Sequence, residues 1–179
     1  MSKTAKTDYA GGCYAPARLI LRQARPDDLK DLHAVYGDPR AMRYWSTLPH
    51  ADLSETAAWL AHLVDAAPGP TRYFVVDRDG RAIGTAGMHQ DYEIGFILHP
   101  DHWRQGLGRE ILNALIPYLF DVTDAGALTA DTDPRNTGSM ALLTAAGFRE
   151  TGRAERTFCV GGEWSDSVYF RLDRGGPNA

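Results

Sequence analysis

The chain has 179 residues and a formal charge of −4 at pH 7, with two cysteines, Cys13 and Cys159. That length suits one domain, able to bury roughly 70% of its unfolded surface. The charge argues against nonspecific nucleic-acid binding, which needs a basic face to release counterions; the cysteines are too few for a disulfide framework or a metal cluster; and no long apolar run suggests a membrane span.

Residues 1–16, rich in Gly, Ala, Thr and Lys, read as a flexible leader without the apolar centre of a signal peptide, so a cytoplasmic protein is expected. Residues 17–173 are expected to form the single domain and 174–179 a flexible tail. Leu19 to Gln23 predicts a first strand. Pro26, Asp27 and Asp28 open a helix to about Tyr36, with proline in the first turn and acids at the positive dipole end; Gly37-Asp38-Pro39 stops it. After a loop from Arg40 to Leu53, Ser54 as N-cap and Glu55 begin a second helix to about Ala66. Arg72 to Asp77 and Ala82 to Met88 predict strands joined across Asp79-Gly80, a hairpin turn signal. A strand begun by Glu93 follows. Arg109 to Val122 carries Ile111, Leu112, Leu115, Ile116, Leu119 and Phe120 at helical steps, with Pro117 predicting a kink or an end near Ile116. Leu128 to Thr132 is a buried strand, Asn136 opens a helix, and Phe158 to Leu172 forms two strands around Gly161-Gly162. Cys159 falls on the first of these and reads as core.

The most informative stretch is Tyr92 to Glu110, YEIGFILHPDHWRQGLGRE, which joins an apolar strand to a glycine-opened helix. Gly106 and Gly108 remove Cβ atoms where consecutive N–H groups must turn toward one anion, and the helix adds unpaired donors and its dipole. A P-loop is excluded because no Gly-Lys pair occurs, and a dinucleotide fingerprint because position 111 is Ile. Alone, GxG before a helix is also compatible with a plain structural turn.

The run Trp103-Arg104-Gln105-Gly106-Leu107-Gly108 resembles motif A, Q/R-x-x-G-x-G/A, of the GNAT superfamily of acyl-CoA-dependent N-acetyltransferases. Tryptophan in the first position departs from the motif and resembles the branch that acetylates ribosomal-protein N-termini (RimJ/RimL-like). Asp133 to Gly152, DPRNTGSMALLTAAGFRETG, resembles the asparagine-led block that follows motif A, and GEW-x-DSVYF within Phe158 to Leu172 resembles that branch's terminal hairpin. The resemblance spans roughly Arg18 to Leu172. It implies an α/β (α+β) GNAT fold: a mixed, mostly antiparallel sheet of about seven strands, with a splayed parallel pair whose wedge takes the pantetheine arm, and four helices. It implies acetyl-CoA as donor, an amine acceptor that is a protein N-terminus or a small molecule, and direct transfer in a ternary complex; a homodimer paired through the terminal hairpin is a further expectation.

The residue roles implied are these. Glu93 takes the amine proton, directly or through water; a strand-end glutamate in solvent is the plain alternative. Backbone N–H groups where the fourth strand bulges, at Phe96, Ile97 and Leu98, meet the oxyanion. The tyrosine that often serves the leaving thiolate is absent, because position 143 is Leu; Ser139 is nominated instead. Arg104, Gln105, Gly106, Leu107, Gly108 and Arg109 hold the pyrophosphate, and Asn136 bonds the pantetheine or caps its own helix. The loop Met42-Arg43-Tyr44-Trp45, with Trp59, Trp164 and Tyr169, is expected to set the acceptor, with Asp91 or Glu93 nearby to hold a cation. His99 and His102 flank Pro100, which breaks the helix a metal pair would need, so no metal is expected. A noncatalytic CoA-binding domain and a nucleotide-binding α/β domain of another kind remain as competing readings.

Overall fold

A computed structural model describes residues 18–65, 72–89 and 91–176. The elements run β1 Ile20–Arg22, a 3-10 turn Pro26–Asp28, α1 Leu29–Tyr36, α2 Leu53–Val64, β2 Tyr73–Arg78, β3 Arg81–Met88, β4 Ile94–Leu98, a second 3-10 turn Pro100–His102, α3 Leu107–Val122, β5 Ala127–Thr132, α4 Thr137–Ala145, β6 Arg149–Val160 and β7 Glu163–Asp173. The fold is mixed α/β with seven strands and four helices among the described residues, in the order the sequence predicts. The proposed leader, residues 1–16, lies outside the described residues.

Two antiparallel sheets, β1-β2-β3-β4 and β5-β7-β6, meet at a parallel bridge between Glu93 and Thr129. The Thr129 N–H donates to Tyr92 O at 3.0 Å. Beyond that bridge the paired strands part, and this is the splayed pair. On one face α3 lays Leu107, Ile111, Leu112, Leu115 and Leu119 against Phe74, Val76, Leu98, Leu128 and Phe170. On the other, Leu32, Val35, Tyr36 and Leu60 from α1 and α2 cover Val75 and Ile97. Each such buried aliphatic side chain contributes about 1.5–3 kcal/mol, so the two helical layers hold the sheet edges on either side of the wedge.

Several local expectations are corrected. The N-cap of α2 is Asp52, not Ser54: its carboxylate accepts from Ser54 N at 2.8 Å and Glu55 N at 3.2 Å, a stronger acceptor than the serine hydroxyl two residues on. Pro117 does not end α3, which runs on to Val122; burial of Tyr118, Leu119 and Phe120 outweighs the one ladder bond proline removes. β6 begins at Arg149, nine residues before Phe158, with register shifts at Glu150/Gly152 and Ala154/Phe158 that obscured it. Cys159 is exposed rather than core, because β6 is the edge strand of its sheet. The tail read from residue 174 is anchored at its start. The Arg174 guanidinium donates to Phe120 O, Thr123 O and Ala125 O at 2.6–2.9 Å, satisfying orphan carbonyls at and beyond the end of α3.

The turns are as expected. Asp79 and Gly80 have φ of 55° and 81°, and Gly161 and Gly162 φ of 59° and 86°, the left-handed pairs that two-residue hairpins require. No helix among the described residues is long and apolar enough to cross a membrane.

Candidate active site

The phosphate cradle follows β4. Trp103 spans the turn, its indole N–H donating to Leu98 O at 2.8 Å. Arg104 and Gly106 take left-handed φ of 58° and 77°, and Gly106 is the N-cap of α3. Being glycine it offers no side-chain cap, so the N–H groups of Leu107, Gly108 and Arg109 lack intrahelical acceptors at the positive end of a sixteen-residue helix. A Cβ built on Gly106 meets only Arg18 Nη2, at 3.6 Å. The space in front of these donors therefore fits a phosphate group. Gly108 has a different job: its Cβ would lie 2.8 Å from Leu142 Cδ2, so its absence lets α4 approach α3. Gln105 braces the loop, accepting from Arg78 Nη1 at 2.9 Å and donating to Asp101 O at 2.9 Å. Arg104 and Arg109 are exposed. Arg18 clamps the helix start, its backbone N–H and Nε donating to the two carboxylate oxygens of Glu110 at 2.6 and 2.9 Å.

The wedge offers a strand edge. His89 N–H donates to Glu93 O and His99 N–H to Ile83 O, so odd-numbered residues of this segment turn their backbone polar groups toward β3. Alternation then turns Ile94, Phe96 and Leu98 toward β5, and Ile97 away from it. The β3–β4 register is regular from Ile94 to Leu98, so the bulge expected at Phe96 to Leu98 is not present in that pairing. The Glu93–Thr129 bridge engages the Tyr92 carbonyl and the Ile94 N–H, so the Ile94 carbonyl and the Phe96 groups are the first that splaying frees. These unpaired groups and the cradle beyond them fit an extended amide-bearing arm that ends in phosphates.

A cavity of about 180 Å³ opens where β4 and β5 part. Its wall includes Glu93, Gly95, Phe96, Asp131, Asn136 and Ser139. Glu93 leads into β4 and faces this space beside Asp131. Its carboxyl pKa is raised, first by loss of surrounding water, then by the Asp131 charge and more weakly by Asp91, with His89 opposing. The residue as a whole is still solvent-accessible, so this desolvation is partial. Asp131 is raised too, by burial first and by Asp133, against the hydrogen bond from Ser167.

Asn136 caps α4, its Oδ1 accepting from Ser139 N at 3.1 Å. Leu143 also lines the cavity, so the position lacking a tyrosine does face the site. Of the acceptor aromatics, Tyr44 and Trp45 line the cavity, whereas Met42 is buried in the core and Trp59 packs on Tyr36 with ring centroids 4.2 Å apart. Trp164 and Tyr169 are not in the wall; Phe158 is. Trp164 instead carries the Arg156 guanidinium 4.8 Å above its ring. Sequence reasoning missed His89, Asp131 and Ser167. The alternation of Asp131 and Asp133 in ADTDP, which puts both on one strand face, was the available signal for Asp131.

Comparison with known proteins agrees with this geometry. A family model described as an acetyltransferase (GNAT) domain matches residues 18–149. The N-acetyltransferase p20 of Bacillus licheniformis is 28% identical over 164 residues, covering 87% of this chain and 92% of the relative. Spermidine N(1)-acetyltransferase of Vibrio cholerae is 24% identical over 157 residues, covering 84% and 90%. Among solved structures, a GNAT-family acetyltransferase from Bacillus anthracis superposes with a TM-score of 0.80 at 21% identity, over 90% of this chain and 98% of that one. Spermidine N-acetyltransferase from Vibrio cholerae, in complex with CoA and spermine, gives 0.77 at 23% identity, over 89% and 98%.

Proposed function

We propose that this chain, which belongs to the GNAT acetyltransferase family, transfers the acetyl group of acetyl-CoA directly to the amine of a small cationic acceptor. It is an N-acetyltransferase. The observation that carries the mechanism is the single cavity wall shared by Glu93 and Ser139, at the point where the β4 edge is left unpaired. Relatives named for spermidine support a cationic acceptor over a protein N-terminus.

Acetyl-CoA supplies the acetyl group as an activated thioester. Leu107, Gly108 and Arg109 offer N–H groups to its pyrophosphate, and the β4 edge offers the Ile94 and Phe96 carbonyls to its amide-bearing arm. Glu93 accepts the proton that the amine nitrogen sheds as the new N–C bond forms. Phe96 N–H, turned into the wedge, meets the charge that develops on the acetyl oxygen. Ser139 offers its hydroxyl to the sulfur as the C–S bond breaks.

The base matters because of the acceptor. At pH 7 an α-amine of pKa ~8 gives up its proton for about 1 kcal/mol, and an alkylamine like lysine at ~10.4 for about 4.6. Raising the Glu93 pKa brings it toward the pH of use and improves its match to the second kind. A cytoplasmic location is part of the same proposal.

Calorimetry with acetyl-CoA, followed by thiol release with spermidine, phenethylamine and an N-terminal peptide, tests the proposal. Saturable binding displaced by CoA, with turnover of at least one amine, is the expected result. Binding without turnover of any amine points to a noncatalytic CoA-binding domain, and no binding by folded protein removes the cradle assignment.

A further inference from the structure

We propose that Asp131 is a second acceptor-binding residue, holding the ammonium form of the amine jointly with Glu93 and selecting cationic amines that carry no neighbouring carboxylate. The inference rests on the acetyl-transfer reading above and adds to it a recognition residue and an acceptor class.

Placement comes first. The parallel bridge pairs Glu93 with Thr129, so Asp131 stands level with Gly95, one pleat deeper into the wedge than Glu93. Gly95 leaves the floor there bare. A Cβ at that position would lie 3.5 Å from His89 Nε2 and 3.7 Å from both Trp45 Cη2 and the Tyr73 hydroxyl. A small amine seated on Gly95 is therefore flanked by two carboxylates and an indole edge, with Trp45, Tyr44 and Phe158 contributing aromatic wall.

The Asp131 carboxylate is also held in place. Ser167, which is 1% exposed, donates its hydroxyl to Asp131 Oδ2 at 2.8 Å, and its oxygen lies 2.7 Å from Thr157 Oγ1. This chain of hydroxyls fixes the side chain from the β6–β7 side without neutralising it. Neighbouring Asp133 is different: Arg135 reaches it at 2.6 Å and continues to Glu163 at 2.7 Å. No salt bridge reaches Glu93, Asp131 or Asp166 among the described residues, and no lysine or arginine is among the wall residues. Arg135 and Arg43 stand outside it, over the Tyr44 ring at 6.0 and 5.3 Å.

An asparagine at 131 could accept the same Ser167 hydrogen bond, so packing does not account for a carboxylate. Two carboxylates facing one cavity, Asp131 partly buried and Glu93 open to solvent on one side, repel each other unless a cation joins them. Burial raises the pKa of both carboxyls, and the Asp131 charge adds to the rise at Glu93. An ammonium relieves the repulsion, whereas an amino-acid acceptor would bring a third negative charge into the same space.

The test compares wild type with Asp131→Asn, Asp131→Glu and Ser167→Ala, by thiol release with spermidine, phenethylamine and phenylalanine. The last two share a skeleton and differ in the carboxylate. Wild type is expected to use phenethylamine far better than phenylalanine. Asp131→Asn should raise the amine KM about tenfold or more, change kcat less, narrow that preference and leave the acetyl-CoA KM alone. Asp131→Glu should recover part of the loss, and Ser167→Ala, which keeps the charge but releases it, should move the same way by less. If Asp131→Asn does not fold, as judged by acetyl-CoA calorimetry, the other two variants carry the test. An unchanged amine KM in the variants, or phenylalanine used as well as phenethylamine by wild type, overturns the assignment of Asp131 alone. Wild-type protein that binds acetyl-CoA and turns over no amine instead overturns the acetyl-transfer reading beneath it.

Discussion

Glu93 and Thr129 form the parallel bridge at which β4 and β5 meet, and immediately beyond them the strands separate. The proposed base is thus fixed at the hinge of the wedge, where the backbone is held on both sides, and the free backbone donors begin three residues later at Phe96. Replacing Glu93 by Gln keeps the shape and removes the proton acceptor. Turnover should fall by at least about tenfold, within the range typical of general bases, while acetyl-CoA affinity stays within about twofold.

The pH profile carries a second check on Glu93. Its carboxyl is raised above the ordinary 4.5, so wild-type kcat/KM should fall as pH drops through a value above the usual glutamate range, and Glu93→Gln should lose that limb. The stability effect has the opposite sign. A raised carboxyl pKa means that the folded state binds the proton more tightly, so between 4.5 and the raised value stability declines as pH rises. Glu93→Gln should flatten that part of the thermal-melting profile. Rates that keep the acid limb in the Gln variant would remove Glu93 from the chemistry.

The two motif glycines should separate. Gly106→Val forces a branched side chain into φ 77° at the N-cap of α3, and should cut acetyl-CoA affinity by about tenfold or more in calorimetry. Gly108→Ala puts its methyl against Leu142 Cδ2, the mobile end of a side chain, so the α3–α4 contact should give by about 1 kcal/mol in denaturant unfolding with acetyl-CoA affinity little changed. Equal affinity losses in both would mean that the missing Gly108 side chain, and not only its N–H, serves the cradle.

Much of this was legible because its signals are local. The hairpins at Asp79-Gly80 and Gly161-Gly162, the amphipathic run of α3 and the glycine-opened cradle each lie within one stretch of chain, and the order of elements follows from them. The failures were tertiary or edge effects. Asp131 becomes a candidate only when β5 is laid beside β4, and Gly95 matters through His89, Trp45 and Tyr73, which come from three other segments. The role of Gly108 needed the position of α4. Cys159 reads as core because it falls on a strand-like run, but an edge strand leaves it open to solvent.

Buried charge holds the first strand. Arg22 donates to Asp28 at 2.6 and 2.8 Å and to Asp77 at 2.7 Å, joining β1 to the 3-10 turn and to β2, and these partners raise its pKa further. Arg22→Met would strand two carboxylates in the interior. Denaturant unfolding should show a loss of about 3 kcal/mol or more, whereas removing the exposed Arg153–Glu150 pair should cost under about 1 kcal/mol.

The last prediction concerns acid stability on the acceptor side. Thr56 is fully buried, and its one hydroxyl lies 2.8 Å from His33 Nδ1 and 2.9 Å from His50 Nδ1, linking α1, α2 and the loop that carries Trp45. A hydroxyl has one proton to give, so it donates to one imidazole and accepts from the other. Protonating the accepting imidazole sets an N–H against that proton and breaks the arrangement. His50, stacked on Tyr36 at 5.2 Å, has its pKa lowered by burial and by His33, against Glu55. The unfolded chain therefore binds the His50 proton more readily, and this contribution to stability, present above the ordinary 6.5, is lost as pH falls through the lower folded value. Thermal melting should show stability declining below about pH 6.5, and Thr56→Val should lower the melting temperature at pH 8 while reducing that decline. A decline just as steep in the Val variant would place the acid sensitivity elsewhere in the molecule.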